Sequence, residues 1–369
     1  MLNTMIVPFN DLSRIHKPLV NESLKVFKEI INESQFVLNS YIRNFENDFA
    51  KYTKQKYSIS CANGTDAIEL ILKGLDIGIG DEVIVPTNSF IATAIAVSRS
   101  GATPIFVDND NYYLIKVNEI EKAITPKTKA IIAVNLYGQV ADLKNISKIA
   151  KKHNLYLIED AAQSHGACDV NGKNVGDYSV AAAYSFYPGK NLGAWGDGGG
   201  VTTNNKRLAE KIKSIRVYGS EKKYYHKYQG FNSRLQPFQG YVLSRKLEKL
   251  DEWNLERNSI ANKYNEAFNE INRFVTPKTF NNNYHVWHLY VLRVNNRKRF
   301  MDEALKNGVE TSIHYPLEIN RQQAYKNHFQ HNIKFKNANN FASNLVSLPI
   351  FPKMKKMEIM KVIDVVSKL

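Results

Sequence analysis

The stretch "EVIVPTNSFIATAIAVSRSGATPIFVD" (82–108) contains two short apolar runs on either side of a segment with helical spacing. The runs EVIVP (82–86) and TPIFVD (103–108) predict strands, and FIATAIAVSRS (90–100) predicts a helix between them. Both runs are apolar almost throughout, without the alternation of a strand that faces water on one side. Strands of this kind are typical of a parallel sheet that is covered on both faces.

The alternation of strand and helix continues over the first half of the chain. Residues 66–75 predict a helix, KAIIAVNL (129–136) and LYLIED (155–160) predict strands, and helices are predicted near VNEIEKAI and LKNISKIAKKH. This order predicts an α/β fold with a mostly parallel central sheet and a ligand site beyond the carboxyl ends of its strands. The polar residues that follow the strands are therefore candidates for that site: Asn88, Ser89, Asn135 and Asp160.

The pattern changes beyond about residue 240. Residues 241–271 form a long amphipathic stretch, VWHLYVLRV (286–294) alternates like a strand, and helices are predicted near RKRFMDEALKNG and at the C-terminus. These elements predict a second, smaller α+β unit. We therefore expect a large α/β domain at residues 1–245 and a small C-terminal α+β domain at residues 246–369.

The composition is that of an ordinary globular protein. The chain has 369 residues, of which 43% are hydrophobic and 23% charged. It has no uncharged apolar run of about eighteen residues, and its N-terminus lacks the pattern of a signal peptide. The two cysteines, Cys61 and Cys168, form neither a disulfide framework nor a metal-ligand spacing. We expect a soluble cytoplasmic protein with no membrane segment and no metal site.

The chain is basic, with a formal net charge of +15. A basic surface attracts phosphates without reading a sequence, so nucleic acid is one conceivable partner. The lysines are nevertheless scattered among acids and apolar residues, and no nucleic-acid-binding signature accompanies them. A solvated basic face or a small anionic substrate explains the charge without nucleic acid.

The segment ANGTDAIEL (62–70) places Asn, Gly and Thr directly before a helical run. Free N–H groups and the helix dipole make such an N-terminus an anion site, where Gly64 permits close approach and Thr65 adds a hydroxyl. An Asn-Gly-Thr sequence also serves simply as a helix cap. The segment alone does not decide between the two.

Two later segments each hold one unusual charged residue. LIEDAAQSHGA (157–167) ends a buried strand with carboxylates, so Asp160 should face a cation or a strong donor, unless it caps a helix. In YSFYPGKNLG (184–193), Lys190 follows an apolar run and precedes a glycine-rich segment. A lysine near a low-dielectric pocket has a lowered pKa and is nucleophilic, whereas a lysine in a surface turn is not.

Taken together, these segments resemble the DegT/DnrJ/EryC1/StrS family of sugar aminotransferases. The resemblance covers nearly the whole chain and is carried, in order, by VPFNDL, NFENDFAKY, CANGTDAIEL, GDEVIVPTNSFIATA, LYGQVADL, EDAAQSHGA, SFYPGKNLGAWGDGG, GFNSRL and IHYP. It implies a pyridoxal 5′-phosphate (PLP) cofactor, which alternates with pyridoxamine phosphate (PMP). It also implies the aspartate-aminotransferase-like fold of type I PLP enzymes.

The resemblance also implies roles for individual residues. Lys190 is expected to bind PLP covalently and then to move a proton, and Asp160 to pair with the pyridinium nitrogen. Gln163 is expected to contact the ring oxygen and Phe90 to stack on the ring. The remaining cofactor-binding residues implied are Gly64, Thr65, Ser185 and Asn232, the last from the neighbouring subunit of a homodimer.

The family's lysine branch performs amine transfer, whereas a histidine in its place marks a dehydrating branch. Lys190 therefore implies an aminotransferase, with L-glutamate as donor and a nucleotide-linked keto-sugar as acceptor. Similar segments favour C3 of a dTDP-3-oxo-6-deoxyhexose over C4 of a dTDP-, UDP- or GDP-linked 4-oxo sugar. Implied substrate contacts are Lys223, Tyr225, His314 and Tyr315. His314 is equally compatible with a hydrogen-bonded histidine at a strand end.

Two alternatives stay open from the sequence. C4 amination is the alternative within the family, and a non-catalytic DNA-binding regulator is the remote alternative. The chain also departs from the family pattern at three positions: Asn135 and Asn320 stand where histidine is frequent, and Gln236 stands where an acid is common. We expect these departures to affect substrate contacts rather than the lysine chemistry.

Overall fold

The computed structural model describes residues 5–369. Its α-helices, α1 to α13 in chain order, are Ser13–His16, Val20–Asn32, Ser40–Thr53, Gly64–Gly74, Ala92–Ser100, Val117–Ile120, Leu143–Lys152, Lys206–Ile215, Pro237–Leu247, Leu250–Phe268, Arg297–Lys306, Lys336–Asn344 and Lys356–Lys368. Its strands, β1 to β12, are Tyr57–Cys61, Glu82–Pro86, Thr103–Val107, Thr128–Val134, Tyr156–Asp160, Ala181–Ser185, Gly199–Thr203, Ser220–Lys222, Tyr225–His226, Phe274–Val275, Tyr290–Val294 and Leu345–Leu348. Short 3₁₀ turns lie at Lys17–Leu19, Glu121–Ala123, Leu136–Gly138, Phe280–Asn282, Ile319–Arg321 and Gln323–Tyr325.

The central sheet has seven strands in the order β1-β7-β6-β5-β4-β2-β3. Neighbours from β6 to β3 pair in parallel, and β7 pairs antiparallel with both β1 and β6. The predicted α/β fold with a mostly parallel sheet is confirmed. Neither β7 (GGVTT) nor β1 (YSISC) was predicted from the sequence, because neither has the apolar run that marked β2 to β5.

Both faces of the sheet are covered, as the apolar strands predict. Successive residues point to opposite faces, so Ile131 joins one core with Leu157 while Ile132 joins the other with Ile158. Helices α3, α7 and α9 contribute apolar residues to the first core, and α4, α5 and α8 to the second. The rigid sheet between these layers positions the loops at its carboxyl edge.

A separate apolar core lies in the second half of the chain. The three-stranded antiparallel sheet β10-β11-β12 packs there with residues of α10, α11 and α13. Val7, near the start of the chain, belongs to this core and pairs in parallel with Val309. The boundary predicted at 245/246 falls within α9 and stays a prediction.

Two element predictions differ from the structure. The amphipathic stretch 241–271 is divided between α9 and α10 by a break at Glu248 and Lys249. The strand predicted from residue 286 begins only at Tyr290, because Val286 and Leu289 donate backbone hydrogen bonds to the loop at Gly138 and Tyr137. Among residues 5–369, no helix has the length and apolar character to cross a bilayer, and no cluster of metal-ligating side chains occurs.

Candidate active site

A cavity of about 480 Å³ opens at the carboxyl edge of the central sheet, beyond β5 and β6. We call it the main cavity. It contains most of the residues predicted for the site, and the ones lining it are Gly64, Thr65, Phe90, Asp160, Gln163, Ser185, Lys190, His314 and Tyr315. Ser89, one of the polar residues expected after the strands, also lines it.

Lys190 lies in a turn that follows β6, where its N–H donates to the carbonyl of Tyr187 at 2.9 Å. The side chain is half-buried and lines the main cavity. Burial lowers the pKa of Lys190 to about 8, although the nearby Asp160 carboxylate acts in the opposite direction. About a tenth of this amine is therefore neutral and nucleophilic at pH 7, far more than for an ordinary lysine.

Asp160 is the last residue of β5 and is only 6% exposed. The hydroxyl of Thr93 donates to its Oδ2 at 2.7 Å, and the N–H of Ala162 donates to its Oδ1 at 3.2 Å. Burial raises the pKa of Asp160, whereas these two hydrogen bonds and Lys190 act to lower it. The carboxylate is thus fixed in orientation and faces the cavity that contains the amine.

Glu159, its neighbour in sequence, points to the opposite face of the sheet. Its carboxylate accepts hydrogen bonds at 2.8 Å from Asn135 Nδ2, Gly176 N–H and Ser179 Oγ. Asn135 also accepts from the N–H of Ala141 at 2.9 Å, so both ends of its amide are occupied. The expectation that Asn135 belongs to the site is wrong: its side chain holds a buried carboxylate on the other side of the sheet.

Helix α4 begins at the main cavity. Asn63 caps the helix, since its Oδ1 accepts from the N–H of Asp66 at 2.8 Å. The first intrahelical bond runs from Ala67 to the carbonyl of Asn63, so the N–H groups of Gly64 and Thr65 precede it. A Cβ on Gly64 would lie 2.7 Å from Cβ of Ser185, and only glycine permits this approach. The segment is therefore both a helix cap and a lining of the cavity.

A polar chain crosses the floor of the cavity. Gln163 accepts from the N–H of Tyr137 at 2.6 Å and donates to the hydroxyl of Tyr315 at 3.2 Å. The ring of Tyr315 lies 5.6 Å from that of Phe90, measured between centroids. Phe90 is 54% exposed at the cavity mouth, which leaves one ring face available to a flat ligand.

His314 is both hydrogen-bonded and part of the cavity wall. Its Nδ1 lies 2.8 Å from the hydroxyl of Ser347, and its ring stacks on Phe9 with 5.8 Å between centroids. Burial, and secondarily the nearby Lys190, lower the pKa of His314 to about 4. The imidazole is therefore neutral near neutral pH and does not supply a second cation there.

Three predicted residues lie outside the main cavity of their own chain. Lys223 and Tyr225 are exposed in the β8–β9 hairpin, and Asn232 is exposed beside a different depression that Arg234 also lines. Asn232 is held there by a backbone bridge to Val217.

The remaining departures from the family pattern also lie outside the main cavity of their own chain, although Gln236 lines the same depression as Asn232. Asn320 is fully buried, where its Oδ1 accepts from Thr87 Oγ1 at 2.7 Å and its Nδ2 donates to the carbonyls of Gln330 and Ile333 at 2.9 Å. Gln236 is exposed and precedes the first residue of α9. The side chain of Asn320 lines neither the main cavity nor the depression beside Asn232, because every polar atom of its amide is engaged with backbone carbonyls or Thr87.

The sequence reasoning missed Thr93 and Tyr187. Thr93 lies in the first turn of α5, three residues after Phe90, and its hydroxyl donates to Asp160, which lines the main cavity. The sequence SFIAT (89–93) contains Thr93 close to the predicted site, but a threonine at this position is compatible with many other roles. Tyr187 is 59% exposed and lines the cavity beside Lys190.

The model of the DegT/DnrJ/EryC1/StrS aminotransferase family matches residues 18–367. The chain belongs to this family. A relative from Aneurinibacillus thermoaerophilus, a dTDP-3-amino-3,6-dideoxy-alpha-D-galactopyranose transaminase, is 44% identical to this aminotransferase over 365 residues, covering 98% of this chain and 99% of the relative.

Solved structures share the fold over the whole chain. DesV of Streptomyces venezuelae, solved in complex with a ketimine intermediate, has a TM-score of 0.96 at 38% identity, covering 99% of this chain and 98% of that one. NtdA of Bacillus subtilis, solved with bound cofactor PMP, has a TM-score of 0.92 at 30% identity, covering 100% of this chain and 86% of that one. The predicted PLP-aminotransferase fold is confirmed, and this aminotransferase uses PLP and PMP as its cofactor forms.

Proposed function

We propose that this aminotransferase moves an amino group from L-glutamate to C3 of a dTDP-linked 3-oxo-6-deoxyhexose. The observation that carries the proposal is that Lys190, with its lowered pKa, and the oriented carboxylate of Asp160 line one cavity. The name of the Aneurinibacillus relative supports the choice of C3 and of the dTDP sugar.

The donor set of the main cavity fits PLP. The amine of Lys190 suits the aldehyde of PLP, and the buried carboxylate of Asp160 suits its ring nitrogen. The exposed face of Phe90 suits the ring, and the N-terminus of α4 with the hydroxyls of Thr65 and Ser185 suits the phosphate. When bound, the cofactor supplies an electron sink for the charge that develops on the donor's α-carbon.

Lys190 is the residue that would hold PLP covalently. Its freed amine would be the group that accepts and returns the proton at the donor's α-carbon. A pKa of about 8 suits a group that must both accept and give up a proton near neutral pH. The turn at Tyr187 keeps the lysine at the cavity while its side chain changes partners.

Asp160 is the residue that would pair with the ring nitrogen of PLP and favour its protonated form. A buried carboxylate with a raised pKa gains a strong partner when a cation binds, and that charge-assisted hydrogen bond favours the protonated ring. Thr93 and the N–H of Ala162 hold the two oxygens in place. Gln163 would contact the ring oxygen and orient the ring within its plane, and Phe90 would stack on the face of the ring.

Gly64, Thr65 and Ser185 bind the phosphate at the N-terminus of α4. Asn232 lies outside the main cavity of its own chain, so we assign it to the phosphate site of a second copy in a homodimer. The same arrangement brings Lys223 and Tyr225 of the exposed hairpin to a neighbouring site, where they contact the nucleotide sugar together with His314 and Tyr315.

The cellular setting completes the proposal. We place the enzyme in the cytoplasm, where nucleotide sugars are made. Its amino-deoxysugar product serves a surface polysaccharide, such as lipopolysaccharide, or a glycosylated metabolite. The positive net charge of the chain suits an anionic pyrophosphate substrate.

The test is to incubate the purified PLP-loaded protein with L-glutamate and either a dTDP-3-oxo- or a dTDP-4-oxo-6-deoxyhexose, and to locate the new amine by NMR. Amine at C3, from the 3-oxo sugar only, is the expected result. Amine at C4 would replace the proposal with the alternative regiochemistry. Failure with both sugars, accompanied by a salt-sensitive DNA mobility shift, would favour the regulator.

A further inference from the structure

A second, smaller cavity of about 230 Å³ adjoins the main one. We call it the side cavity. The two share five lining residues, namely Gln163, Tyr187, Lys190, His314 and Tyr315. Beyond these, the side cavity is lined by residues that play no part in the function proposed above, among them Arg257, His288 and Asn10.

Arg257 of α10 is 3% exposed and has no carboxylate partner in its hydrogen-bond set. Its Nη1 donates only to backbone carbonyls. The two shorter bonds go to Ile350 at 2.7 Å and Trp287 at 3.2 Å. Its Nε lacks a hydrogen-bond partner among residues 5–369. Glu256, adjacent in sequence, is engaged by the backbone N–H of Lys353 at 2.6 Å. A buried cation of this kind is costly unless an anion joins it.

The rest of the side cavity does not supply that anion. No aspartate or glutamate is among its lining residues in the described part of the chain. Burial lowers the pKa of both His288 and His314, so these rings are neutral near neutral pH, and Asn191 Oδ1 lies 3.0 Å from His288 Nδ1. The oxygen of Asn10 is buried without a partner among the described residues and can accept from an ammonium group.

We propose that the side cavity is the amino-donor subsite and that Arg257 binds the α-carboxylate of the donor. The inference rests on the proposed function, because it assumes that an amino acid reacts at Lys190. The donor's α-carbon must come to that lysine, and its carboxylate is one bond away, on the side where Arg257 offers the buried positive charge. The volume suits a small carboxylic acid better than a nucleotide sugar.

The test compares Arg257→Gln and Arg257→Lys with wild type, all as PLP-loaded proteins. The amines are L-glutamate, L-2-aminobutyrate, which keeps only the α-carboxylate, and 4-aminobutyrate, which lacks it. Single-turnover loss of the absorption of lysine-bound cofactor gives each amine's apparent affinity. For Arg257→Gln we expect the apparent affinity for L-glutamate and L-2-aminobutyrate to fall about 10- to 100-fold, because a charge-assisted hydrogen bond to the α-carboxylate is lost. The apparent affinity for 4-aminobutyrate, which lacks that carboxylate, should not change. The Lys variant should recover part of the loss.

Two controls separate binding from folding and from chemistry. Arg297→Gln also removes a guanidinium bond to a backbone carbonyl, that of Ala342, but outside both cavities, and should leave all three amines unchanged. Calorimetric titration of L-2-hydroxyglutarate, which cannot react, should show the same Arg257-dependent weakening. The PMP form of each variant should react with the keto-sugar at the wild-type rate.

Equal losses for all three amines in Arg257→Gln would mean that the arginine is structural and would overturn the inference. Unchanged affinity for L-glutamate and L-2-hydroxyglutarate would overturn it as well. Wild type that binds L-2-hydroxyglutarate through Arg257 but transfers no amine would instead remove the proposed function and leave the carboxylate subsite standing.

Discussion

Glu159 and Asp160 are adjacent in β5, yet their carboxylates lie on opposite faces of the central sheet. The first is enclosed by hydrogen bonds from Asn135, Gly176 and Ser179, and the second faces the main cavity beside Lys190. One short sequence thus supplies a carboxylate that stabilises the fold and another that is available to a cofactor.

Thr93→Val removes the 2.7 Å hydrogen bond to Asp160. Because this bond lowers the pKa of Asp160, its loss raises that pKa, and the acidic limb of the kcat/KM profile should move to higher pH. We expect kcat/KM to fall about tenfold. Thr203→Val, which removes a hydroxyl bond to the carbonyl of Val180, is the matched control. Identical pH profiles for both variants would contradict this role of Thr93.

Lys190→Ala removes the amine that binds the cofactor. The purified variant should lack the visible absorption of lysine-bound PLP and should transfer no amine, while its circular dichroism stays that of wild type. Lys206→Ala, at an exposed position, is the control and should keep both properties. A Lys190→Ala protein that retained the absorption and the activity would contradict the assignment of this residue.

The lowered pKa of Lys190 predicts unusual reactivity in the cofactor-free protein. Reagents for neutral amines should modify Lys190 with a midpoint near pH 8, whereas an ordinary lysine has a pKa of about 10.4. Asp160→Asn should move that midpoint to lower pH, because the carboxylate raises the pKa of the lysine. Peptide-level mass spectrometry separates Lys190 from Lys246, whose pKa burial lowers to about 7. A midpoint near that of exposed lysines would contradict the burial argument.

Gly64→Ala places a methyl group 2.7 Å from Cβ of Ser185. Relieving that contact must shift either the start of α4 or the end of β6, at a cost of about 1–3 kcal/mol. We expect PLP binding, measured by absorbance titration, to weaken about tenfold. The double variant Gly64→Ala/Ser185→Gly should regain part of the thermal stability, since the shortest contact is removed while the Cα of residue 185 remains 3.2 Å away. Wild-type affinity in the single variant would show that the close approach is not required.

Asn320→Ala leaves Thr87 and two backbone carbonyls without their partner. The free energy of unfolding should fall by about 1–3 kcal/mol, as for other buried hydrogen-bonded groups. The KM for the sugar should be unchanged, because the amide lines neither cavity. Asn295→Ala, at an exposed position, is the control. A raised KM with unchanged stability would contradict this structural role of Asn320.

The sequence predicted the sheet because its strands are apolar runs of ordinary length. It predicted the main cavity because the family segments fix which strand ends carry Asp160 and Lys190. It did not reveal β7, where glycine lets the strand backbone lie close to the residues before α4. A Cβ on Gly199 would lie 2.2 Å from the carbonyl oxygen of Asn63. It named Asp160 as the carboxylate of the site, but it gave no role to Glu159, whose partners Asn135, Gly176 and Ser179 appear only in the structure.

Other parts of the site depend on contacts between distant residues. Asn135 and Asn320 resemble site residues in sequence, and only their hydrogen-bond partners reveal that they support the fold. Arg257 appears in the sequence as one of many charged residues on an amphipathic helix. Its burial against the carbonyls of Trp287 and Ile350 follows only from the packing of α10.

The N-terminal segment can complete the wall of the side cavity only late in the synthesis of the chain. Phe9 lines the side cavity, and its N–H bonds to Glu310, which lies 301 residues further along the chain. Val7 likewise pairs with Val309. On the ribosome, the first of these residues emerges long before its partner has been translated. A nascent chain therefore cannot complete the wall of the side cavity until most of the polypeptide has left the exit tunnel, so this cavity should form only near the end of synthesis.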